Sequence, residues 1–298
     1  MAREETRVAV EGREINISNL DKVLFPAAGF TKGQLIDYYA KVGPAMLPHI
    51  ADRPLTMKRF PDGVERPYFY EKHVPSHAPD WVRTIDVPSS DGEEGVEYTV
   101  IDELATLVWA AQLGGIELHV PLWRIGRRRN LPGPPDLIVF DLDPGEGTDV
   151  VECCSVALLV RQMLDDRGLE GLAKTSGSKG LQVYAKLKGR ATWDKSRTDA
   201  HDIATALEKA HPDEVISVMR KSLRKGKVFI DWSQNHPAKT TVAVYSVRGR
   251  AQPTASTPVT WDEVEACATA GKADLLEFTA TDVIDRVNKM GDLFATLT

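Results

Sequence analysis

The stretch LIVFDLDPGEG, Leu137 to Gly147, decides how the chain is read. LIVFD is a short apolar strand, set off upstream by the turn-forming PGPP, and two aspartates stand one residue apart where the strand meets a proline-glycine turn. Side chains i and i+2 share one face of a strand, so Asp141 and Asp143 point together if the strand runs through Asp143. Like charges this close repel, and burying them uncompensated is costly. Magnesium or manganese, which prefer oxygen ligands, would compensate them. Asp231 lies in a second apolar run, VFIDW, Val228 to Trp232. If the two strands are neighbours, three carboxylates converge, enough for two metal ions in phosphoryl or nucleotidyl transfer. Spacing alone leaves two other readings open: a strand end facing water, and a phosphatase-like site with one aspartate as nucleophile and the other as acid.

Outward from this stretch the elements read as strands and helices in mixed order. Downstream, Thr148 or Asp149 caps a helix to about Leu164, with Val156, Leu159, Val160 and Met163 on its apolar face. TSGSKG is a loop, and LQVYAKL alternates as a strand. A helix is expected from Asp199 to about Ala210, with strands at VISVM, VFIDW and TVAVY, and helices around WDEVE beyond Thr260. Upstream, residues to about Val10 read as a tail or edge strand. Thr31 caps a helix to about Val42, which Pro44 and Pro48 help to end. Two short strands flank the Asp62-Gly63 turn, another covers Tyr98 to Ile101, and a helix runs from Glu103 to Gln112. The order is a mixed N-terminal module followed by a strand-and-helix module.

With 298 residues, 42% hydrophobic and 27% charged, the chain can bury a sizeable core. A net charge of −6 argues against a highly cationic nucleic-acid coat but leaves room for a local basic groove. Basic clusters occur at Arg124 to Arg129, Arg220 to Lys227 and Arg248 to Arg250. Cys153, Cys154 and Cys267 match no zinc spacing, and a reducing cytosol is the simple reading. The charged start is no signal peptide, and no apolar run is long enough to span a membrane.

Other segments fit a phosphate-bearing ligand. TSGSKG offers glycine N–H groups, the hydroxyls of Ser176 and Ser178, and Lys179, although it is not a Walker A motif and is equally a plain hairpin loop. His119 sits in apolar IELHVP, where a satisfied core histidine is the ordinary expectation, and the basic run after it makes a phosphate role more plausible. Arg224 before Asp231, Lys239 after it, and Arg248 and Arg250 around a glycine suggest positive charge about a carboxylate core. Alternation through Tyr68-Phe69-Tyr70 predicts that one or two rings are buried, with at least one free to stack on a base. Lys22 and Lys32 flank a loop and a helix start, a place where a terminal phosphate can bind.

Taken together, DKVLFPAAGFTK, RPLTMKRFPDGV, YFYEK, ELHVPLWR, LIVFDLDPGEG, TSGSKGL, KSLRKGKVFIDWSQN and KTTVAVYSVRGR, in this order, resemble the polymerase domain of bacterial ATP-dependent ligase D, in the archaeo-eukaryotic primase superfamily. The resemblance covers roughly residues 12 to 290. It implies a mixed α+β fold: a primase-polymerase core with an RRM-like antiparallel sheet and flanking helices, joined to an N-terminal module. Within the single domain the submodules would span about 12–120 and 121–298. It implies template-dependent extension of a primer 3′ end, manganese or magnesium as a pair of ions, and NTP or dNTP as substrate with ribonucleotides preferred. The setting would be gap filling and end joining in the bacterial cytoplasm, by a monomer, with a DNA ligase and an end-binding repair protein as partners.

By the same resemblance Asp141, Asp143 and Asp231 would hold the metals, and Asp231 would also assist deprotonation of the primer hydroxyl. Ser176, Ser178 and Lys179 would grip the nucleotide phosphates, His119 would contact the nucleotide near its sugar, and Lys58 would help to hold triphosphate or sugar. Arg224, Gln234, Lys239, Arg248 and Arg250 would line the nucleotide and DNA groove. Lys22 and Lys32 would receive a downstream 5′-phosphate, and Phe69 with Tyr70 would stack on template bases. Gln182 departs from the family pattern, which has histidine there, and would hold a phosphate differently. The ligase and nuclease modules are absent, as in an excised domain or a stand-alone relative. The rival functions are a non-catalytic 5′-phosphate or DNA-end binding module and a metal phosphohydrolase.

Overall fold

The structure, a computed structural model, describes residues 5–88, 95–126, 132–189 and 191–298. Six α-helices are described: α1 (Lys32–Ile50), α2 (Leu104–Gln112), α3 (Val150–Asp165), α4 (Trp193–Ala210), α5 (Trp261–Ala270) and α6 (Ala280–Met290). They flank two larger sheets. One has six strands in the order Val215–Ile216, Val228–Asp231, Leu137–Pro144, Leu181–Lys186, Gly171–Thr175 and Pro258–Val259. All its pairings are antiparallel except the first, which is parallel. The other has four strands in the order Thr241–Val242, Gly115–Val120, Thr56–Arg59 and Phe69–Glu71. Its first strand therefore comes from the C-terminal half of the chain, and Val139, Tyr184 and Phe294 share a core with residues of α1 and α2. No helix among the described residues is long and apolar enough to cross a membrane.

Strand alternation explains the six-stranded sheet. Ile138, Phe140, Leu142, Leu181, Val183, Val228 and Ile230 face a core with Cys153, Val156, Val160 of α3 and Ile203, Ala204 of α4. The residues between them in sequence, Asp141, Asp143, Gln182 and Asp231, therefore fall on the opposite face. The strand holding Asp141 runs on to Pro144, so both aspartates are in it. α3 begins as its sequence predicts: Asp149 Oδ1 accepts from Val151 N at 2.7 Å, and Glu152 Oε2 accepts from Asp149 N at 2.8 Å. All three cysteines are free and buried.

Some expectations change. α1 starts at its Thr31 cap but passes through Pro44 and Pro48 to Ile50. Each interior proline costs ~3 kcal/mol, and burial of Met46 and Ile50 offsets it at ~1.5–3 kcal/mol per side chain. Arginines also serve the helix end: Arg53 Nε donates to His49 O at 3.0 Å, and Arg124 donates to Ala51 O at 2.7 Å and Pro48 O at 2.8 Å. Arg124 thus clamps the helix end; Arg127, Arg128 and Arg129 of the same basic run lie outside the described residues. α4 starts at Trp193, not Asp199, because Thr192 caps it and the polar first turn carries no apolar periodicity. In VISVM and TVAVY only Val215–Ile216 and Thr241–Val242 are strand; Tyr245 turns at φ +65°. Tyr68, Phe69 and Tyr70 are 51%, 44% and 58% exposed, so no ring of the triplet is buried. Phe69–Glu71 is an edge strand, and alternation buries side chains only where a layer covers them.

Candidate nucleotidyl-transfer site

Antiparallel register builds the floor of the site. Asp141 pairs across to Asp231 on one side and to Gln182 on the other, and Gln182 pairs in turn with Lys174. Directly opposed residues share a face, so Lys174, Gln182, Asp141 and Asp231 form one row, with Asp143 one pleat further along. Gln182 Nε2 donates to Asp141 Oδ1 at 3.0 Å, and the Tyr184 hydroxyl lies 3.3 Å from Gln182 Oε1 and 3.0 Å from Thr241 Oγ1. Asp231 Oδ1 accepts from Ser233 N at 3.0 Å and Ser233 Oγ at 2.5 Å, while Oδ2 accepts from Gln234 Nε2 at 3.0 Å. Lys239 reaches the same Ser233 hydroxyl at 2.5 Å.

The row is electrostatically tense. Removal from water, then the neighbouring charge of Asp143, pushes the Asp141 carboxyl up to about 7; the Gln182 hydrogen bond opposes this and Asp231 adds to it. Asp143 is also raised, by burial and by Asp231, against the pull of Arg224 and Lys221. Lys174 is fully buried, with its ammonium on Ser256 Oγ at 2.6 Å and Val242 O at 3.1 Å. Burial pushes it down to about 7, while the charge of Asp141 holds it up.

Above the floor opens a cleft of about 480 Å³, lined by Asp141 and Asp143 and by five cations, Lys179, Lys221, Arg224, Arg248 and Arg250. His119, Ser176, Ser178, Gln182 and Gln234 line it too. The serine-glycine loop forms one wall. Ser176 Oγ accepts from Ser178 N at 3.2 Å and Gly180 N at 3.1 Å, so that hydroxyl oxygen shapes the loop, whereas Ser178 and Lys179 are exposed to the cleft. Two glycines are required here. Gly177 has φ +66°, and a Cβ at Gly180 would lie 2.1 Å from the Leu142 carbonyl oxygen.

The opposite wall comes from the four-stranded sheet. Glu117, buried, accepts from Lys58 Nζ at 3.2 Å and Gly249 N at 3.0 Å on Oε1; its Oε2 lies 3.0 Å from His119 Nε2 and 3.3 Å from Arg248 Nε. Burial alone would raise this carboxyl, but the His119 hydrogen bond and the charges of Arg248, His119 and Lys58 draw it down to about 2. Burial lowers His119, against the pull of Glu117. Arg248 Nη1 also donates to Ser176 O at 2.7 Å, tying the two walls together.

Most of the remaining predicted residues do not line the cleft. Lys58 sits behind the cleft, over the Tyr68 ring at 4.0 Å, and the Tyr70 ring meets His119 edge-on at 6.4 Å. Arg59 lies over Phe69 at 5.2 Å. Arg224 stacks on Phe229 at 3.6 Å. Lys22 is bonded to Asp62 Oδ1 at 2.6 Å, and Lys32 is buried with Nζ on Ser18 O at 2.8 Å. Sequence reasoning passed over Glu117, Lys174, Tyr184 and Ser233, and took in Lys221 only as part of the basic run Arg220 to Lys227. The i, i+2 pattern in Glu117-Leu118-His119 was the available signal for the first.

The donor set is carboxylate oxygen throughout, and its mutual repulsion is of the kind a hard divalent cation relieves. By that chemistry Asp141, Asp143 and Asp231 fit magnesium or manganese, although among the described residues no three potential ligands are gathered into a finished cage. Carboxylates on a largely antiparallel sheet, facing cationic walls, have the chemistry of a class of α+β proteins that would take a phosphate-bearing ligand together with divalent cations. The chain belongs to the family "LigD, primase-polymerase domain", whose sequence pattern matches residues 31–294. It is 43% identical over 283 residues to a multifunctional non-homologous end joining protein LigD of Mycolicibacterium smegmatis, covering 95% of this chain and 36% of that protein. A bifunctional LigD of Bacillus subtilis is 32% identical over 279 residues, covering 93% of this chain and 43% of the relative. The chain thus spans well under half the length of these relatives. The solved polymerase domain of Mycobacterium tuberculosis ligase D, in complex with DNA, superposes with a TM-score of 0.89 at 44% identity, covering 95% of this chain and 97% of the other.

Proposed function

We propose that the chain is a metal-dependent, template-directed nucleotidyltransferase. It extends a primer 3′ end, prefers ribonucleotides, and fills short gaps or broken ends in non-homologous end joining. The observation that carries this reading is the cleft itself: Asp141 and Asp143 on the floor beneath five cationic side chains, in a chain of the LigD primase-polymerase family. A triphosphate needs positive walls, and its attacked phosphorus needs oxygen-ligated cations beside it.

Asp141, Asp143 and Asp231 would hold the divalent cations, which supply activation of the primer hydroxyl and neutralisation of the triphosphate when bound. Asp231, whose oxygens accept from Ser233 and Gln234, would also assist deprotonation of the primer 3′-hydroxyl. Ser178, Lys179 and Arg248 take the phosphate oxygens, and His119 meets the nucleotide near its sugar. Arg224, Lys221 and Arg250 carry the polynucleotide backbone. Phe69 and Tyr70, exposed on an edge strand, stack on template bases. Lys22 and Lys32 would receive a downstream 5′-phosphate. Sequence choice comes from base pairing, so affinity is dominated by phosphate contacts and falls with salt.

Primer extension on a phosphorylated one-nucleotide gap, with manganese and each of the eight nucleotides, tests the reading. The expected result is addition of the templated nucleotide, faster with ribose than deoxyribose, with pyrophosphate released only when primer is present. Gap binding without extension would leave an end-binding module. Phosphate release without primer would make the site a phosphohydrolase.

A further inference from the structure

We propose that Glu117 is the positioning residue of the nucleotide wall: it holds Lys58, His119 and Arg248 at fixed spacing and keeps the His119 ring proton on Nε2. The inference rests on the nucleotide-binding reading of the cleft. Glu117 does not line the cleft, whereas His119 and Arg248 do. Its four contacts come from three parts of the chain: Lys58 is its cross-strand partner, His119 is two residues on along its own strand, and Arg248 and Gly249 arrive from the loop after Thr241–Val242. The Gly249 approach is itself exacting, since a Cβ there would lie 2.2 Å from the Phe60 ring.

A buried carboxylate is expensive, and well-packed apolar residues commonly do as well for stability alone. Here the carboxylate gathers more positive charge than it carries, and two of its neighbours, Arg248 and the imidazole of His119, continue to the cleft side. One guanidinium, that of Arg248, touches both Glu117 and the serine-glycine loop. The carboxylate thereby registers the walls that would hold a triphosphate between them. With Nε2 facing Glu117 Oε2 at 3.0 Å, the neutral imidazole carries its proton there and keeps Nδ1 as its acceptor.

Simple repulsion predicts the opposite sign for mutation, which makes the test decisive. A carboxylate near a triphosphate disfavours it, so Glu117→Gln should tighten binding if Glu117 only balances charge. If it positions the wall, Glu117→Gln weakens binding although a negative charge is gone. Titration of a non-hydrolysable ribonucleoside triphosphate into protein with gapped DNA and manganese should show Kd about tenfold higher in Glu117→Gln, with KM raised more than kcat and partial recovery in Glu117→Asp. Equal or tighter binding by Glu117→Gln overturns the inference. Ring ¹⁵N shifts of His119 in the wild-type protein supply a second measurement that needs no variant to fold: an Nε2–H ring is expected, and an Nδ1–H ring overturns it. Wild-type protein that binds no nucleotide overturns the inference and the polymerase reading together; wild-type binding with an unaffected Glu117→Gln overturns the inference alone.

Discussion

Asp141 lines the cleft and Glu117 stands behind its opposite wall, each on its own sheet, and their carboxyl groups move in opposite directions. Asp141 is raised to about 7 and Glu117 lowered to about 2. Burial raises both, so burial is not the difference. The difference is company: Asp141 has two carboxylates beside it and a neutral amide donor, while Glu117 has a lysine, an arginine and a histidine. One carboxylate has its counter-charge built in. The other belongs to a group that Lys174, Arg224 and Lys221 balance only in part, as a site for exchangeable cations would need.

The largest expected effect follows from the deficient side. Asp143→Ala should reduce primer extension about 10³-fold or more while binding of gapped DNA stays within about twofold, because a carboxylate is no phosphate contact. Extension that survives would show that the row is not the reaction centre. Next comes stability in metal-free buffer. A raised carboxyl favours the fold while protonated, so the contribution of Asp141 is fully present below its unfolded value near 4 and is lost as pH rises through about 7. Asp141→Asn should therefore raise stability at pH 8 by on the order of 1–2 kcal/mol, read as a higher melting temperature, and change it little at pH 4. Glu117 has the opposite sign: its contribution is present above about 4.5 and lost as pH falls toward 2. Melts of both variants across pH 3–8 that move in the same direction would break the contrast.

A smaller effect tests the neutral member of the row. Gln182→Leu removes the 3.0 Å donor to Asp141, so Asp141 holds its proton more tightly. Extension at pH 7 should fall about threefold, and the acid limb of the pH profile should move to higher pH. Gln182→His, which adds a donor of another shape, should recover activity if the need is for any donor to Asp141. An unmoved acid limb in Gln182→Leu would mean that the amide serves the substrate and not the aspartate.

The two sides of this contrast were unequally legible in the sequence. DLD could be read because alternation is local: two residues apart is enough to put Asp141 and Asp143 on one face, and the apolar run around Asp231 marks a second strand. The caps Thr31 and Asp149 and the Asp62-Gly63 hairpin were legible for the same reason. Glu117 was less so: its spacing to His119 is local, but Lys58 lies 59 residues away and Gly249 132 away, and no period in the chain links them. Lys174 was hidden in GLAKT, whose small residues give a weak strand pattern although the segment is buried between two other strands. The prolines of α1 misled because propensity is local while the burial that overrides it is not.

The smallest effect expected is at the exposed counterpart of these pairs. Lys22 reaches Asp62 at 2.6 Å with the aspartate largely in water, and the lysine hydrogen bond, then its charge, holds that carboxyl below its ordinary range. An exposed pair is weak and exchangeable, and salt screens it. A 5′-phosphate arriving at Lys22 therefore competes with Asp62, unlike the buried contacts of Glu117, which no ligand can displace without breaking the wall. Asp62→Asn should release Lys22 and raise the preference for a 5′-phosphorylated gap over an unphosphorylated one about two- to threefold, with the gain shrinking as salt rises from about 50 to 200 mM. Lys22→Ala should lower the same preference, and Asp62→Asn added to it should have no further effect, because the aspartate acts through the lysine. A double variant that still responds to Asp62 would place the phosphate on Lys32 or elsewhere and remove Lys22 from the 5′-phosphate site.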